Sequence, residues 1–127
     1  MKIWLKRVGL ILLIICLGTI IDYFTHHLSP YFSVPSSYFP HKIFYGTVWA
    51  FVGYLVFRKW IKTHFWLAFT IALVPSVLLQ TMYFIQKHQL PLVVLLFLFL
   101  HFLMFLLPGY YICKKYKSLF LDVPTVV

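Results

Sequence analysis

The residues best suited to chemistry lie between positions 22 and 42, in the stretch DYFTHHLSPYFSVPSSYFPHK. This stretch contains one of the two acidic residues of the chain, three of its six histidines and three of its seven prolines. Carboxylates and imidazoles are ligands for zinc, copper, iron and manganese, and an imidazole gains or loses a proton near neutral pH. The stretch therefore points to metal binding or to proton binding.

Asp22 and His26 are four residues apart, so a helix places both side chains on one face. The sequence predicts a site for a divalent transition metal formed by Asp22, His26, His27 and His41. The DxxxHH pattern is far less specific than a four-ligand motif of cysteines and histidines. The favoured alternative is structural: Asp22 pairs with Lys42 or Lys87 and holds helices together.

A second polar stripe follows later in the chain and comprises Ser76, Gln80, Tyr83 and Lys87. Polar stripes of membrane helices face the bundle interior or a water-filled cavity, because a polar group that faces lipid loses its hydrogen bonds. His101 adds an ionisable group about ten residues into a later apolar run. The sequence predicts a vestibule for a ligand or a proton, lined by Asp22, His26, His41, Gln80, Tyr83, Lys87 and His101.

His101 also has a structural interpretation, which is the favoured one. By helix rise it lies near the middle of its apolar run, where a neutral imidazole can bond to a threonine, a tyrosine or a backbone carbonyl of another helix. Haem ligation is disfavoured, because no other histidine is centrally placed to supply a second axial ligand.

The composition predicts an all-α integral membrane protein. Of 127 residues, 63% are hydrophobic and only 10% are charged, whereas soluble domains are roughly half apolar. The net charge of +9 does not indicate nucleic-acid binding, because the basic residues fall in short groups between apolar runs rather than on one face. The lipid bilayer is therefore the expected partner, and nucleic acid is not.

Sequence signals of an enzyme are absent. The chain has no glycine-rich phosphate loop, no GxSxG, no HExxH and no pair of catalytic carboxylates. Cys16 and Cys113 form no CxxC motif, so neither a disulfide framework nor a thiol redox centre is indicated. The interpretation leans towards a protein without enzymatic activity.

Four apolar runs predict one membrane domain of four transmembrane helices, over residues 6–25, 41–60, 65–86 and 91–113, with a cytoplasmic tail over 114–127. The part of the tail after Lys117 should be poorly ordered. The first run lacks a small-residue cleavage site and is interpreted as an uncleaved helix. A loop rich in proline and aromatic residues separates the first two helices and should lie along the membrane surface. Gly46, Ala50 and Gly53 share one face of the second helix and predict a packing seam.

The distribution of basic residues predicts the orientation. Both chain ends and the turn after the second helix hold nine lysines and arginines, at positions 2, 6, 7, 58, 59, 62, 114, 115 and 117. The first and third loops hold only Lys42 and Lys87. Under the positive-inside rule both termini are cytoplasmic, and the stretch from Asp22 to Lys42 faces outward, most simply from the plasma membrane.

The leading functional hypothesis is a scaffold or accessory subunit, whose polar cluster organises the bundle and contacts a membrane protein partner or a second copy of the chain. The alternative is a metal-binding or proton-binding membrane protein, or a small transporter, that works through Asp22, His26, His41 and His101.

Overall fold

The structure is a computed structural model that describes residues 1–87 and 90–121. The described chain contains helices and no strands. Four long helices follow one another: α1 (Lys2–His26), α2 (Tyr38–Phe57), α3 (His64–Lys87) and α4 (Pro91–Lys115). A 3-10 turn, Pro30–Phe32, lies between α1 and α2, and a short helix, α5 (Lys117–Phe120), follows α4.

Three of the described helices, α1, α3 and α4, are long and apolar enough to cross a membrane, which indicates a membrane protein. Helix α2 is not among them, because its 20 residues include His41 and Lys42 in the first two turns. It nevertheless packs against α1 and α3, while α4 packs against α3 and α1. The four helices therefore form a closed ring.

The helix bounds differ from those expected by a few residues, for local reasons. Helix α2 begins at Tyr38 rather than at residue 41, because Pro40 falls in its first turn, where the missing N–H has no helical partner to lose. Ser37 is the N-cap residue of α2, but its side chain makes no capping hydrogen bond. Helix α4 continues through two lysines to Lys115.

The core of the bundle is apolar and tightly packed in its central turns. Ile11, Ile14 and Ile15 of α1 are fully buried and belong to the same cluster as buried residues of α3 and α4, namely Leu67, Ala68, Ile71, Ala72 and Phe105. Gly46, Ala50 and Gly53 are buried on α2. A Cβ atom added to Gly46 would lie 3.1 Å from Ile15, and one added to Gly53 would lie 2.8 Å from Val74. Small residues therefore allow α2 to approach both neighbours closely.

The chain after α4 is folded back against the bundle, in contrast to the poorly ordered tail expected from the sequence. Phe120 is buried against the ring of Tyr54, at 5.5 Å between centroids. The Tyr54 hydroxyl donates a hydrogen bond to the Phe120 carbonyl (2.9 Å), and Arg7 Nε donates one to the Leu119 carbonyl (2.8 Å). Aromatic burial and two hydrogen bonds therefore fix α5. Residues 122–127 of the expected tail lie outside the described chain.

We expect Gly18→Ala to destabilise the fold, because a Cβ atom at this position would press on the Phe105 ring and lie 2.9 Å from the Met104 carbonyl oxygen. Overpacking of this kind costs about 1–3 kcal/mol in the free energy of unfolding. Thermal unfolding of the purified protein in detergent, followed by circular dichroism, measures the loss.

Gly9→Ala is the matched control on the same helix, since a Cβ atom there has nothing within 4 Å. This variant should gain up to roughly 1 kcal/mol from the higher helix propensity of alanine. Equal unfolding midpoints for the two variants would contradict the close packing of α1 on α4.

Candidate metal centre

Each of the four long helices contributes one buried polar side chain to a single cluster. The cluster lies at the end of the bundle where α1 ends and α2 begins, which we call the loop end. Its members and their exposed fractions are Asp22 of α1 (1%), Lys42 of α2 (2%), Gln80 of α3 (4%) and His101 of α4 (7%). Because these groups are withdrawn from water, they must be satisfied by one another or by neighbouring polar side chains.

The two carboxylate oxygens of Asp22 have different partners. Lys42 Nζ donates a hydrogen bond to Oδ2 at 2.6 Å, which forms a buried ion pair. Oδ1 lies 3.1 Å from His101 Nε2 and 3.4 Å from His26 Nε2. One oxygen therefore neutralises a cation, while the other faces two imidazole rings. The expected pairing of Asp22 with a lysine is present, and the lysine is Lys42.

The ring of His101 lies between two oxygen atoms. Its Nδ1 is 3.2 Å from Gln80 Oε1, and its Nε2 faces Asp22. Both oxygen atoms accept hydrogen bonds, so the ring donates from Nδ1 to Gln80, from Nε2 to Asp22, or from both when it is protonated. In a neutral ring with the proton on Nδ1, Nε2 presents its lone pair to the cluster. The ring is further held by stacking on Phe97, four residues earlier on α4.

His26 has the same arrangement. Its Nδ1 makes a short hydrogen bond to the Phe32 carbonyl in the 3-10 turn, and Phe32 in turn packs edge-on against Phe97. Its Nε2 is buried and has no hydrogen-bond partner among the described residues. The His26 side chain is only 9% exposed. The 3-10 turn therefore orients this imidazole so that an unpartnered nitrogen faces Asp22 and His101.

Three potential ligand atoms converge at this point: Asp22 Oδ1, His26 Nε2 and His101 Nε2 all lie within 4.8 Å of one another. Histidines that bind a metal usually donate the hydrogen of the other ring nitrogen to an oxygen acceptor. Here Gln80 and the Phe32 carbonyl are placed to accept those two hydrogens. Two imidazoles and one carboxylate are a ligand set typical of zinc and of ferrous iron.

Three cavities adjoin the cluster. One, of about 230 Å³, is lined in part by Asp22, His26 and Phe32, and the other two share a wall. The smaller, of about 70 Å³, is lined by His26, Val34, Tyr38, Gln80, Tyr83, Phe97 and His101. The larger, of about 410 Å³, lies between α2 and α3 and is lined in part by Lys42, His41 and Gln86. Tyr38 and Tyr83 line both cavities, with their rings 5.4 Å apart. The tyrosine pair therefore separates the histidines from the larger cavity.

The structure brings together some of the residues that the sequence predicts for the site and places others elsewhere. His27 Nδ1 is hydrogen-bonded to the Tyr23 carbonyl at 2.7 Å, and His41 Nδ1 to the Ser37 carbonyl at 2.8 Å. Both rings thus turn back on their own chain segments and lie outside the group of converging atoms. His41 lines the larger cavity. The side chain of Lys87 lies outside the described part of the chain.

Two residues gain roles that the sequence did not predict. His101, which the sequence predicted for the vestibule but not as a metal ligand, joins the ligand group. Tyr38 touches the cluster through its hydroxyl, 3.4 Å from Lys42 Nζ, and through its ring, 5.1 Å from that of His26. The spacing of four residues between Tyr38 and Lys42 was a usable signal, because it places both side chains on one face of α2.

We expect Lys42→Met to destabilise the protein by about 3–5 kcal/mol, because the variant leaves the Asp22 carboxylate buried without a cation. The double variant Asp22→Asn/Lys42→Met should recover a large part of this loss, since it removes both charges. Denaturant unfolding of the purified single and double variants measures the coupling.

Lys6→Met is the control for this cycle, because Lys6 is an exposed lysine on α1. It should change stability by no more than about 0.5 kcal/mol. A double variant as unstable as the sum of its single variants would show that the two charges are not coupled.

No family model, no curated protein and no solved structure matches this chain. Its function is therefore inferred from the geometry of the cluster.

Proposed function

We propose that this chain is a membrane protein that binds one divalent transition-metal ion through Asp22 Oδ1, His26 Nε2 and His101 Nε2. The observation that carries the proposal is the buried Nε2 of His26, which has no hydrogen-bond partner among the described residues and faces a carboxylate oxygen. With Nδ1 donating to the Phe32 carbonyl, a neutral His26 ring has a lone pair at Nε2, and the carboxylate oxygen repels this lone pair unless a proton or a metal ion lies between them. A metal ion bound by both atoms would supply the positive charge.

The spacing of the ligand atoms supports the same conclusion. A metal bonded at ~2.0–2.2 Å to ligands about 109° apart holds those ligands roughly 3.3–3.6 Å from each other. Asp22 Oδ1 lies 3.1 Å and 3.4 Å from the two histidine nitrogens. Small side-chain rotations would therefore complete three bonds. A fourth position would remain open towards the 70 Å³ cavity that both histidines line.

A purely structural role for the cluster explains less of the geometry. The ion pair of Asp22 with Lys42 accounts for Oδ2 and would hold α1 against α2 in any scaffold or accessory subunit. A hydrogen bond from His101 Nε2 to Asp22 would also fit a structural role, but that role leaves the buried Nε2 of His26 without a partner among the described residues. This nitrogen favours metal binding over a scaffold.

We further propose that α2 crosses the bilayer together with α1, α3 and α4, and that both chain ends face the cytoplasm across the plasma membrane. The basic residues support this orientation, because Lys2, Lys6, Arg58, Lys59 and Lys114 lie at helix ends remote from the loop end. The buried polar face of α2 is turned to the cluster, while Phe44, Val48, Val52 and Val56 are exposed and can face lipid. The metal would then enter from outside the cell.

We expect the purified protein to bind about one Zn²⁺ or Co²⁺ ion per chain. Gln80→Ala removes a hydrogen bond that supports a ligand and should lower the metal affinity by roughly 10–100-fold. His26→Ala and His101→Ala each remove a ligand and should lower the metal affinity by more than this. Titration calorimetry gives the affinities, and the visible absorption of bound Co²⁺ reports a four-coordinate site.

His27→Ala and His41→Ala are the matched controls, because these histidines are exposed and bonded to nearby carbonyls. Both should bind metal as the unmodified protein does. Absence of stoichiometric metal binding, or equal losses in His26→Ala and His27→Ala, would contradict the proposed site.

The orientation has its own test. In a background without Cys16 and Cys113, a cysteine at Ser33 should react with a membrane-impermeant maleimide added outside intact cells, whereas one at Lys59 should react only after permeabilisation. Labelling in the reverse pattern would contradict the proposed topology without affecting the metal site.

A further inference from the structure

The charge of the cluster changes when a metal ion binds. Asp22 and Lys42 together are neutral, and the two histidines are neutral as ligands. A divalent ion therefore adds two positive charges to a site whose carboxylate and lysine are almost completely buried. Uncompensated charge in such surroundings is costly. The open coordination position is thus suited to a ligand with two negative charges.

The open position faces the hydroxyl groups of Tyr38 and Tyr83, and the ammonium of Lys42 lies behind Asp22 on the wall of the larger cavity. Lys42 Nζ lies 2.6 Å from the carboxylate oxygen that is not a metal ligand, so the ammonium is next to the site. Lysine only donates hydrogen bonds, so the Tyr38 hydroxyl, 3.4 Å from Nζ, is an acceptor in that contact. Its own hydrogen is directed to Asp22 and Tyr83, and a bound anion would have to replace these acceptors. Tyr83 lies beside Tyr38 along the same wall. An anion with several oxygen atoms could use the metal, the ammonium and a hydroxyl together.

The larger cavity adds information about the rest of the ligand. It is lined on one side by Lys42, Tyr38, Ser37 and His41, and on the other by the apolar side chains of Leu79 and Met82. It lies between α2 and α3 behind the Tyr38–Tyr83 pair, so the hydrocarbon part of a metal-bound ligand would reach it only if these two rings move apart. The smaller cavity, with about 70 Å³, accommodates only a small head group.

We propose that the metal centre binds the phosphate group of a phosphate monoester, with one oxygen on the metal and the others on Lys42 and the Tyr38 hydroxyl. This inference rests on the metal site proposed above. A monoester carries close to two negative charges at neutral pH and has three acceptor oxygens, which match the excess charge and the three available partners. A carboxylate would leave one positive charge uncompensated, and a phosphate diester would do the same.

The source of the monoester is either a lipid head group or a water-soluble molecule, and binding measurements can separate the two. The protein is loaded with Co²⁺ in nanodiscs of phosphatidylcholine. Inorganic phosphate or glycerol phosphate is then added to one sample, and phosphatidic acid is incorporated into the discs of another. The visible spectrum of Co²⁺ should change on binding, and the ³¹P resonance of the bound phosphate should broaden because it lies next to a paramagnetic ion.

A change with phosphatidic acid alone identifies a lipid monoester, and a change with glycerol phosphate identifies a soluble one; either result supports the proposal. Acetate, and the diester phosphatidylcholine already present in the discs, should give no comparable change. If Co²⁺ binds but neither phosphate source alters its spectrum or its ³¹P signal, the phosphate inference is overturned and the metal site stands. If no Co²⁺ binds, both proposals are overturned.

Variants test the assigned contacts. Tyr38→Phe keeps the ring and removes the hydroxyl, so it should retain Co²⁺ and weaken phosphate binding about 2–10-fold. Lys42→Met should weaken it by roughly 10- to 100-fold, provided that its Co²⁺ spectrum shows an intact site. Tyr45→Phe, on the same cavity but with a side chain that is 40% exposed, is the matched control and should bind phosphate normally. Equal effects of the two tyrosine variants would overturn the assignment of Tyr38.

Discussion

The buried carboxylate of Asp22 is the group on which the loop end of the bundle depends. Removing an ionised carboxylate from water is unfavourable unless its charge is neutralised and its oxygens are bonded. Lys42 of α2 neutralises the charge, and His101 of α4 contacts the second oxygen, with Gln80 of α3 behind it. One side chain therefore constrains the relative rotation and the register of all four long helices. The same constraint brings the two imidazoles to a common point.

Much of the fold could be predicted from hydrophobicity alone. Apolar runs of about 20 residues marked the four long helices, and their ends were misplaced by only a few residues, because capping and first-turn proline act locally. The small residues of α2 indicated a packing face because their spacing matches the helical period. The pairing of Asp22 with a lysine followed from the scarcity of acidic groups. The sequence predicted that α2 is as apolar as the other membrane helices. Helix α2 instead contains a charged residue, Lys42, which is paired with Asp22 inside the bundle rather than exposed to water.

The depth of His101 relative to Asp22 could not be predicted. Counting residues gives the position of a side chain along its own helix, but not the offset between two helices. His101 lies ten residues after the start of α4, and Asp22 lies four residues before the end of α1. The difference of six residues, at about 1.5 Å of helix rise each, means that the outer part of α4 extends beyond α1 by roughly 9 Å. The 3-10 turn fills this offset, with Phe32 against Phe97. Ser29 as N-cap and Pro30 at the first position are a local signal for this turn, but its packing against α4 joins segments that are distant in the chain.

The docking of α5 has a consequence for the order in which the protein folds. Arg7 and Leu119 are joined by a hydrogen bond although 112 positions separate them in the chain, and Tyr54 adds a second long-range bond to the same segment. Contacts between such distant positions form late, because every intervening segment must be in place first. Since α5 follows the four long helices, it can be bound only when α1 and α2 are already adjacent. Its attachment thus marks the completion of assembly, and a chain with misplaced α1 or α2 would leave Phe120 exposed to recognition by quality-control proteases.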